Sequence, residues 1–347
     1  MILIIGAGLS GLLTAYRLKK ENIPFKILEA RKRIGGRIYT HYGTDHTPIE
    51  MGATWFGNQH SQLIDLLDEL NIGYFEQFME GKVFFQPFST SPAESIQIPS
   101  QPPSYRISGG TSHLIEEIYQ KLAKNDILLN QSVREIKFNK NSVQVFTKEM
   151  FEGSTVVLAI PPKLWSKNIL FTPQLPNNVM TIAKETHTWM EDSVKVALIY
   201  KQPFWQHEKY SGTLFSNSGP ITELYDHCNH ERSKYALCGF LNSSFKSLNY
   251  SERQSIVINQ LKNVFGTNAE MFSDYKECIW SNEEYTFEKS ETPLYPHQNN
   301  GNPVFSNTFF DHRLFISSSE SAPEFPGYMD GAVRAANTTV NKIIATR

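Results

Sequence analysis

The sequence predicts an α/β fold, a Rossmann-like sheet-and-helix domain carrying an inserted α+β domain of mixed sheet plus helices. Three observations predict it. The first 30 residues read as strand, glycine-rich turn, helix and strand. A second series of strands begins at Val194, well after the first has run out. The chain has 347 residues and 40% hydrophobic content, more than one core usually takes.

Taken in order, Ile2 to Ile5 is a continuous apolar run stopped by Gly6, as a strand buried on both faces is. Leu9 to about Lys20 follows as helix and Phe25 to Leu28 as a second strand, and a helical connection makes the two strands parallel. Thr111 to Lys124 is a helix with Leu114, Ile115, Ile118 and Leu122 on one side. The apolar runs Val133–Phe138, Val143–Phe146 and Val156–Ile160 read as strands returning to the first sheet. Val194–Tyr200, Thr222–Tyr225 and Tyr235–Phe240, a helix from Ser251 to Phe265 and a strand around Tyr275–Trp280 make the second domain. The chain closes with a strand at Leu314–Ser317, a loop through Pro323 and Pro326, and a helix from Met329 to about Ile344. The expected division is residues 1–77, 106–183 and 283–347 for the first domain, and 78–105 with 184–282 for the second. No repeat, low-complexity tract or linker interrupts the pattern.

Composition excludes several classes. Lys plus Arg number 33 against 35 Asp plus Glu, a formal charge of -2, and no basic run interleaves with aromatics, so nucleic acid is not an expected partner. Cys228, Cys238 and Cys278 are too few and too irregularly spaced for a disulfide framework or a zinc site, and read as reduced thiols of a cytoplasmic protein. The opening Met-Ile-Leu-Ile-Ile has no basic segment before it and ends at a glycine, which is a strand rather than a signal. No stretch approaches the ~18 apolar residues of a membrane span, so a soluble protein with no membrane partner is expected. Asp226-His-Cys-Asn-His230 gathers potential metal ligands, but neighbours in a strand or turn point apart and no second ligand pair sits at zinc spacing; it reads as a polar loop.

The run Gly6-Ala-Gly-Leu-Ser-Gly11 carries the clearest chemistry. Gly6 makes the tight turn out of the strand, Gly8 lets the backbone approach a pyrophosphate, and Gly11 lets the helix pack on the sheet. Leu9 and Ser10 open that helix, whose N-terminus presents free N–H groups and a positive dipole end to an anion. The same spacing occurs in ordinary glycine turns. Here a strand precedes it, a helix follows, and Glu29 ends the next strand about 20 residues on, where a carboxylate accepts from ribose hydroxyls. NAD and FAD both use this cradle. Immediately after come Ala30, Arg31 and then Gly35-Gly36-Arg37, a second close backbone approach with two guanidinium groups able to fork onto phosphate oxygens.

These residues, with Glu50–Gly57, Ser108–Leu114, Val156–Pro162, Val194-Lys-Val with Pro203-Phe-Trp205, and Gly327–Val333, resemble the flavin-containing amine oxidase family of monoamine and polyamine oxidases. The matches fall in family order along nearly the whole chain. The resemblance implies a Rossmann-like FAD-binding domain in which Glu29 holds the adenosine ribose, Arg31 and Arg37 the pyrophosphate, and the Val133 backbone the adenine. Gly52, Ala53, Thr54 and Trp55 would lie along the isoalloxazine and Glu320 near the ribityl chain. Met329, Ala332 and Val333 would stand at the pyrimidine end, where the helix dipole stabilises the reduced ring.

Three catalytic positions follow from the same resemblance. Lys195 lies inside an apolar strand, where a lysine either snorkels outward or, as in the family, reaches a water at flavin N5. Trp280 matches a tryptophan beside the flavin, although a tryptophan ending a strand also serves as core filler. Tyr328 matches one wall of an aromatic pair flanking the substrate nitrogen, or packs on Pro323 and Pro326. Counting from Trp280 brings the second wall to Phe287-Glu-Lys-Ser290, so Tyr285 or Phe287 would supply it with a shift of register. That stretch has no cysteine, so FAD is expected to be non-covalent.

Two departures stand out: Ser317-Ser-Ser319 replaces the family's Ala-Gly-Thr before Glu320, and the region between Asn58 and Arg106 is short. The implied reaction is oxidation of a small amine by hydride transfer to flavin N5, with O2 as electron acceptor and H2O2 as product. Desaturation, or renalase-like oxidation of a nicotinamide derivative, is the nearest alternative. A flavin-binding accessory protein without turnover is a third, and Lys195 separates it from the enzymes.

Overall fold

The computed structural model describes residues 1–88, 91–99, 101–207 and 209–347; within the expected inserted-domain stretches, residues 89, 90, 100 and 208 lie outside the described residues. Five parallel strands form the first sheet, in the order Ile127–Leu128, Phe25–Leu28, Ile2–Ile5, Thr155–Leu158 and Leu314–Ile316. The run Ile2–Ile5 shows why this strand is central. Ile2 and Ile4 join a core with helices Leu9–Lys20, Ser112–Gln120 and Met329–Ala345. Leu3 and Ile5 join a different core on the opposite face. Side chains alternate across a strand, so only an uninterrupted apolar run satisfies both layers.

The second layer corrects the expectation that Val133–Phe138 and Val143–Phe146 return to the parallel sheet. These segments pair with each other antiparallel, as Glu135–Phe138 and Val143–Phe146, in a separate four-stranded sheet with Met150–Gly153 and Leu170–Thr172. The physical reason is in their alternation. Ile136, Phe138, Val143 and Val145 are buried, while Glu135, Lys137 and Gln144 between them are not. A strand with one apolar face cannot sit where helices or sheet must cover both. Thr155–Leu158, with Val156, Val157 and Leu158 all buried, is the strand that does return.

A seven-stranded mixed sheet gathers Phe272–Ile279, Val194–Tyr200, Tyr235–Leu241, Ile221–Asp226, Tyr210–Ser216, Lys82–Gln86 and Glu94–Ile96, in that order. Sequence reading missed Tyr210–Ser216, which contains Gly212, and the two strands before residue 100. Helix Tyr250–Phe265, started by a reciprocal Asn249–Glu252 capping box, covers one face through Val257 and Leu261. Ala197, Ile199, Ala236 and Cys238 on the other face pack against Ile49 and Met51. That contact brings the strand bearing Lys195 against the segment leading to Gly52. Among the described residues no helix is long and apolar enough to cross a membrane.

The glycine run separates packing from access. A Cβ on Gly11 would lie 2.0 Å from the Gly6 carbonyl oxygen and 3.2 Å from Ala159 Cβ, whereas one on Gly8 would meet nothing nearer than the Gly36 Cα at 4.0 Å. Gly11→Ala is therefore expected to destabilise the fold by about 3 kcal/mol in denaturant unfolding. Gly8→Ala should stay within about 1 kcal/mol of wild type.

Candidate active site

A cavity of about 940 Å³ opens at the carboxyl ends of the parallel strands, where ligands bind in open α/β sheets. Gly6, Glu29, Ala159 and Ser318 line it just past the ends of four of those strands. Gly8, Leu9, Ser10, Ala30, Arg31, Gly35, Gly36 and Arg37 continue the wall. Gly52, Ala53, Thr54, Trp55, Lys195, Trp280, Tyr328, Met329 and Ala332 line it as well, as do Val133 and its neighbours. Gly11, Glu320 and Val333 stand behind the wall.

At the glycine loop, helix Leu9–Lys20 starts on Gly8 with no side-chain cap, so its first N–H groups remain available. Gly36, at φ +59°, approaches so closely that a Cβ there would lie 3.2 Å from the Gly8 Cα. The buried Glu29 carboxylate accepts from the Ala7 N–H at 2.7 Å and the Arg31 N–H at 2.8 Å, tying loop and second strand together. Arg31 donates to Thr286 Oγ1 at 2.6 Å and to the Tyr285 carbonyl at 3.2 Å. Arg37 lies 2.6 Å from Glu320 Oε1, and donates to Ser319 Oγ at 2.7 Å and to the Trp189 carbonyl at 3.3 Å. Glu320, fully buried, meets Arg37 rather than the cavity. Ser318 Oγ lies buried on the wall without a hydrogen-bond partner among the described residues. Uncapped N–H groups, side-chain-free backbone, guanidinium groups and an unpartnered hydroxyl fit the polar stem of a dinucleotide.

The far end is aromatic. Lys195 is 2% exposed; its Nζ donates to Thr54 Oγ1 at 2.9 Å and lies 4.4 Å and 4.6 Å from the ring centres of Trp55 and Phe240. The strand thus turns this lysine inward. Trp280 is buried on the wall and donates from Nε1 to the Met51 carbonyl at 2.7 Å. Tyr328 ends the Pro-rich loop as N-cap of helix Met329–Ala345, which has no side-chain cap. Asp330 in its first turn faces away, accepting from the Leu63 N–H at 2.9 Å and Arg334 Nε at 2.6 Å.

Of the two residues offered for the second wall, Tyr285 lines the cavity and Phe287 does not, and neither ring meets Tyr328. Tyr285 lies beside Arg31, with the guanidinium 5.7 Å from its ring centre, and Phe287 lies near Lys163. The aromatic beside Tyr328 on the wall is Trp189, at 5.7 Å between ring centres. Nothing in the local pattern marked it, because it sits in an irregular turn between helix Asn177–Lys184 and strand Val194–Tyr200.

Behind Lys195 is a buried ionisable group that sequence reading also missed, although a carboxylate between Ile49 and Met51 was a signal. Glu50 accepts from the Thr111 N–H at 2.6 Å and Thr40 Oγ1 at 2.9 Å. Burial pushes its carboxyl up to about 7, against the opposing pull of those bonds and of the Lys195 and Arg106 charges. Burial also lowers Arg106 and holds His227 well below its ordinary value, leaving its Nε2 to accept from the Glu50 N–H at 3.3 Å. The expected polar loop at Asp226–His230 is instead partly core. Asp226, His227 and Cys228 are buried, and Asp226 accepts from Trp205 Nε1 at 2.8 Å and Gln206 Nε2 at 2.9 Å.

A Rossmann-like sheet with this cavity defines a dinucleotide-binding protein. A family model described as flavin containing amine oxidoreductase matches residues 9–105 and 76–344, and the chain belongs to that family. It is accordingly an FAD-dependent oxidoreductase. A protein of Dictyostelium discoideum described as a probable flavin-containing monoamine oxidase A is 22% identical, over 96% of this chain and 95% of that one. Among solved structures, putrescine oxidase bound to putrescine matches 99% of this chain and 98% of its own at 23% identity and TM-score 0.86. Cyclohexylamine oxidase from Brevibacterium oxydans IH-35A matches over the same shares at 19% identity and TM-score 0.86. At these identities the two structures show a shared fold.

The raised Glu50 carboxyl has a stability consequence. Folded, it keeps its proton at pH values where the unfolded chain has lost it, so its contribution turns unfavourable as pH rises from about 4.5 to about 7. The loss amounts to about 3 kcal/mol. In thermal unfolding against pH, Glu50→Gln should show a flatter profile than wild type across that window.

Proposed function

We propose that the protein oxidises a small neutral amine, using non-covalently held FAD and O2 as electron acceptor. The observation that carries this reading is the buried Lys195 ammonium on the cavity wall, enclosed by Trp55 and Phe240, in a cavity that Tyr328 also lines. An accessory binding module has no use for a desolvated cation there. When bound, FAD supplies a two-electron acceptor that takes the hydride equivalent from the amine α-carbon, leaving an imine that hydrolyses in water, and passes the electrons to O2 to give H2O2.

The chain's own residues do the rest. The glycine loop, Glu29, Arg31 and Arg37 would hold the dinucleotide stem, with Val133 at the adenine end and Gly52–Trp55 along the ring. Met329 and Ala332 bring the helix N-terminus to the cavity, where its partial positive charge favours negative charge on the ring. An ammonium has three N–H donors. Lys195 gives one to Thr54, and the others would hold and orient a water for proton transfer. Tyr328, 37% exposed, offers an aromatic face to an entering amine. Trp280 and Trp55 keep water from that end.

Non-covalent attachment is supported by Cys278, which sits opposite Lys195 in the sheet but does not line the cavity. Burial pushes its thiol up to about 12, which removes the thiolate that attachment would need. The three free thiols favour a cytoplasmic location.

Anaerobic titration with a panel of amines, amino acids and nicotinamide derivatives tests the reading. An amine should bleach the bound flavin; bleaching by a nicotinamide derivative alone would refute it. Lys195→Met should slow flavin reduction or reoxidation about a hundredfold in stopped flow. Rates equal to wild type would remove Lys195 from the chemistry.

A further inference from the structure

A buried ion pair not used by this chemistry stands behind the cavity wall. Lys163, in the first turn of helix Pro162–Asn168, is wholly buried, and its Nζ contacts Glu191, which is 6% exposed. The same ammonium donates to Ser290 Oγ at 3.3 Å. Residues 161–169, 189–193 and 284–290 meet at this pair, and all three segments contribute to the cavity wall. A buried ion pair is seldom more stabilising than an apolar pair of the same volume, and its best attested use is to fix position.

What it fixes is the turn at 188–193. Met190 there adopts φ +61°, and the Glu191 N–H returns to the Thr188 carbonyl at 3.2 Å. The turn presents Trp189, whose ring stacks on His297 at 3.9 Å and tilts 37° from Tyr328. Gly327 makes room for it, since a Cβ there would lie 2.7 Å from Trp189 Cβ. Arg37 holds its carbonyl oxygen. Position and contacts are thus determined from three sides.

We propose that Trp189 is the specificity-determining wall of the amine site, set by the buried Lys163–Glu191 pair, and that it selects a flat apolar substituent over one bearing a second ammonium. This rests on the amine-oxidase reading. Trp55, Phe240, Trp280 and Tyr328 line the same cavity, and the charges beside these aromatics are cationic, Lys195 at Trp55 and Phe240 and Arg37 at the Trp189 carbonyl. The carboxylates lining the cavity among the described residues are Glu29, at the glycine loop, with Glu284 and Glu288 in the segment that pairs with Arg31 and Asn168. A second ammonium at the ring end would meet repulsion without an anion to receive it.

The test compares benzylamine with 1,4-diaminobutane in steady-state oxidation, and measures equilibrium dialysis of aniline, which has no α-hydrogen to lose. Wild type should favour benzylamine in kcat/KM. Trp189→Ala, at a partly exposed position that tolerates change, should raise the benzylamine KM at least tenfold, with a smaller change in kcat, and weaken aniline binding to match. Trp189→Phe should recover most of the loss. Lys163→Met/Glu191→Leu, which replaces the pair with apolar groups, should fold, retain flavin and share the Trp189→Ala phenotype. Unchanged selectivity and aniline affinity in Trp189→Ala would overturn the wall, and a wild-type KM in the double variant would overturn its setting by the pair. If wild type oxidises no amine, the underlying reading fails instead; amine oxidation with no dependence on Trp189 defeats this inference alone.

Discussion

The contact on which the site depends is the ion pair between Arg37 and Glu320, residues from opposite ends of the chain. Glu320 is fully buried, and a carboxylate there is tolerable only with a cation against it. Arg37 supplies that cation while remaining on the cavity wall, and the same guanidinium takes Ser319 Oγ and the Trp189 carbonyl. One side chain therefore joins the Gly35–Gly36 turn, the approach to the C-terminal helix and the turn before the Lys195 strand. Removing it would leave a buried charge uncompensated and three wall segments without a common anchor.

A second set of constraints fixes segment 50–55, which lies between the two large sheets. Thr40 and Thr111 hold the Glu50 carboxyl, Trp280 holds the Met51 carbonyl, Lys195 holds Thr54, and Trp55 Nε1 donates to Gln77 Oε1 at 2.8 Å. The donors come from both sides, so this strip of wall is positioned by the fold as a whole. The charges near it are Lys195 and Arg106, with the buried Asp226 carboxylate facing Arg106 and a Glu50 carboxyl that burial biases towards its neutral form. Of these groups Lys195 is the one on the cavity wall, and a cation there suits a site where negative charge develops.

Legibility in the sequence followed how local each feature is. Gly6, Gly8, Gly11 and Glu29 lie in one turn and the strands beside it, so the spacing together with the flanking strand and helix made the cradle legible. Lys195 stood out because charge interrupts an apolar strand, although which way it pointed depended on its packing against Ile49 and Met51. The segments at Val133 and Val143 were recognised as strands but assigned to the wrong sheet, because a half-polar alternation was read as if a doubly covered sheet could take it. Trp189, Lys163 and Glu191 escaped altogether. Each acts through a contact with a distant segment, and an irregular turn carries no period from which to read a direction.

Residues from both ends of the chain line the cavity, and the central proposal is that FAD is held there without a covalent bond. The direct measurement is to denature the purified protein, pass it through a membrane that retains the chain, and quantify intact FAD in the filtrate. One equivalent per chain in the filtrate is the predicted result. Flavin that stays with the polypeptide, or protein that takes up no FAD even after incubation with excess, would contradict it.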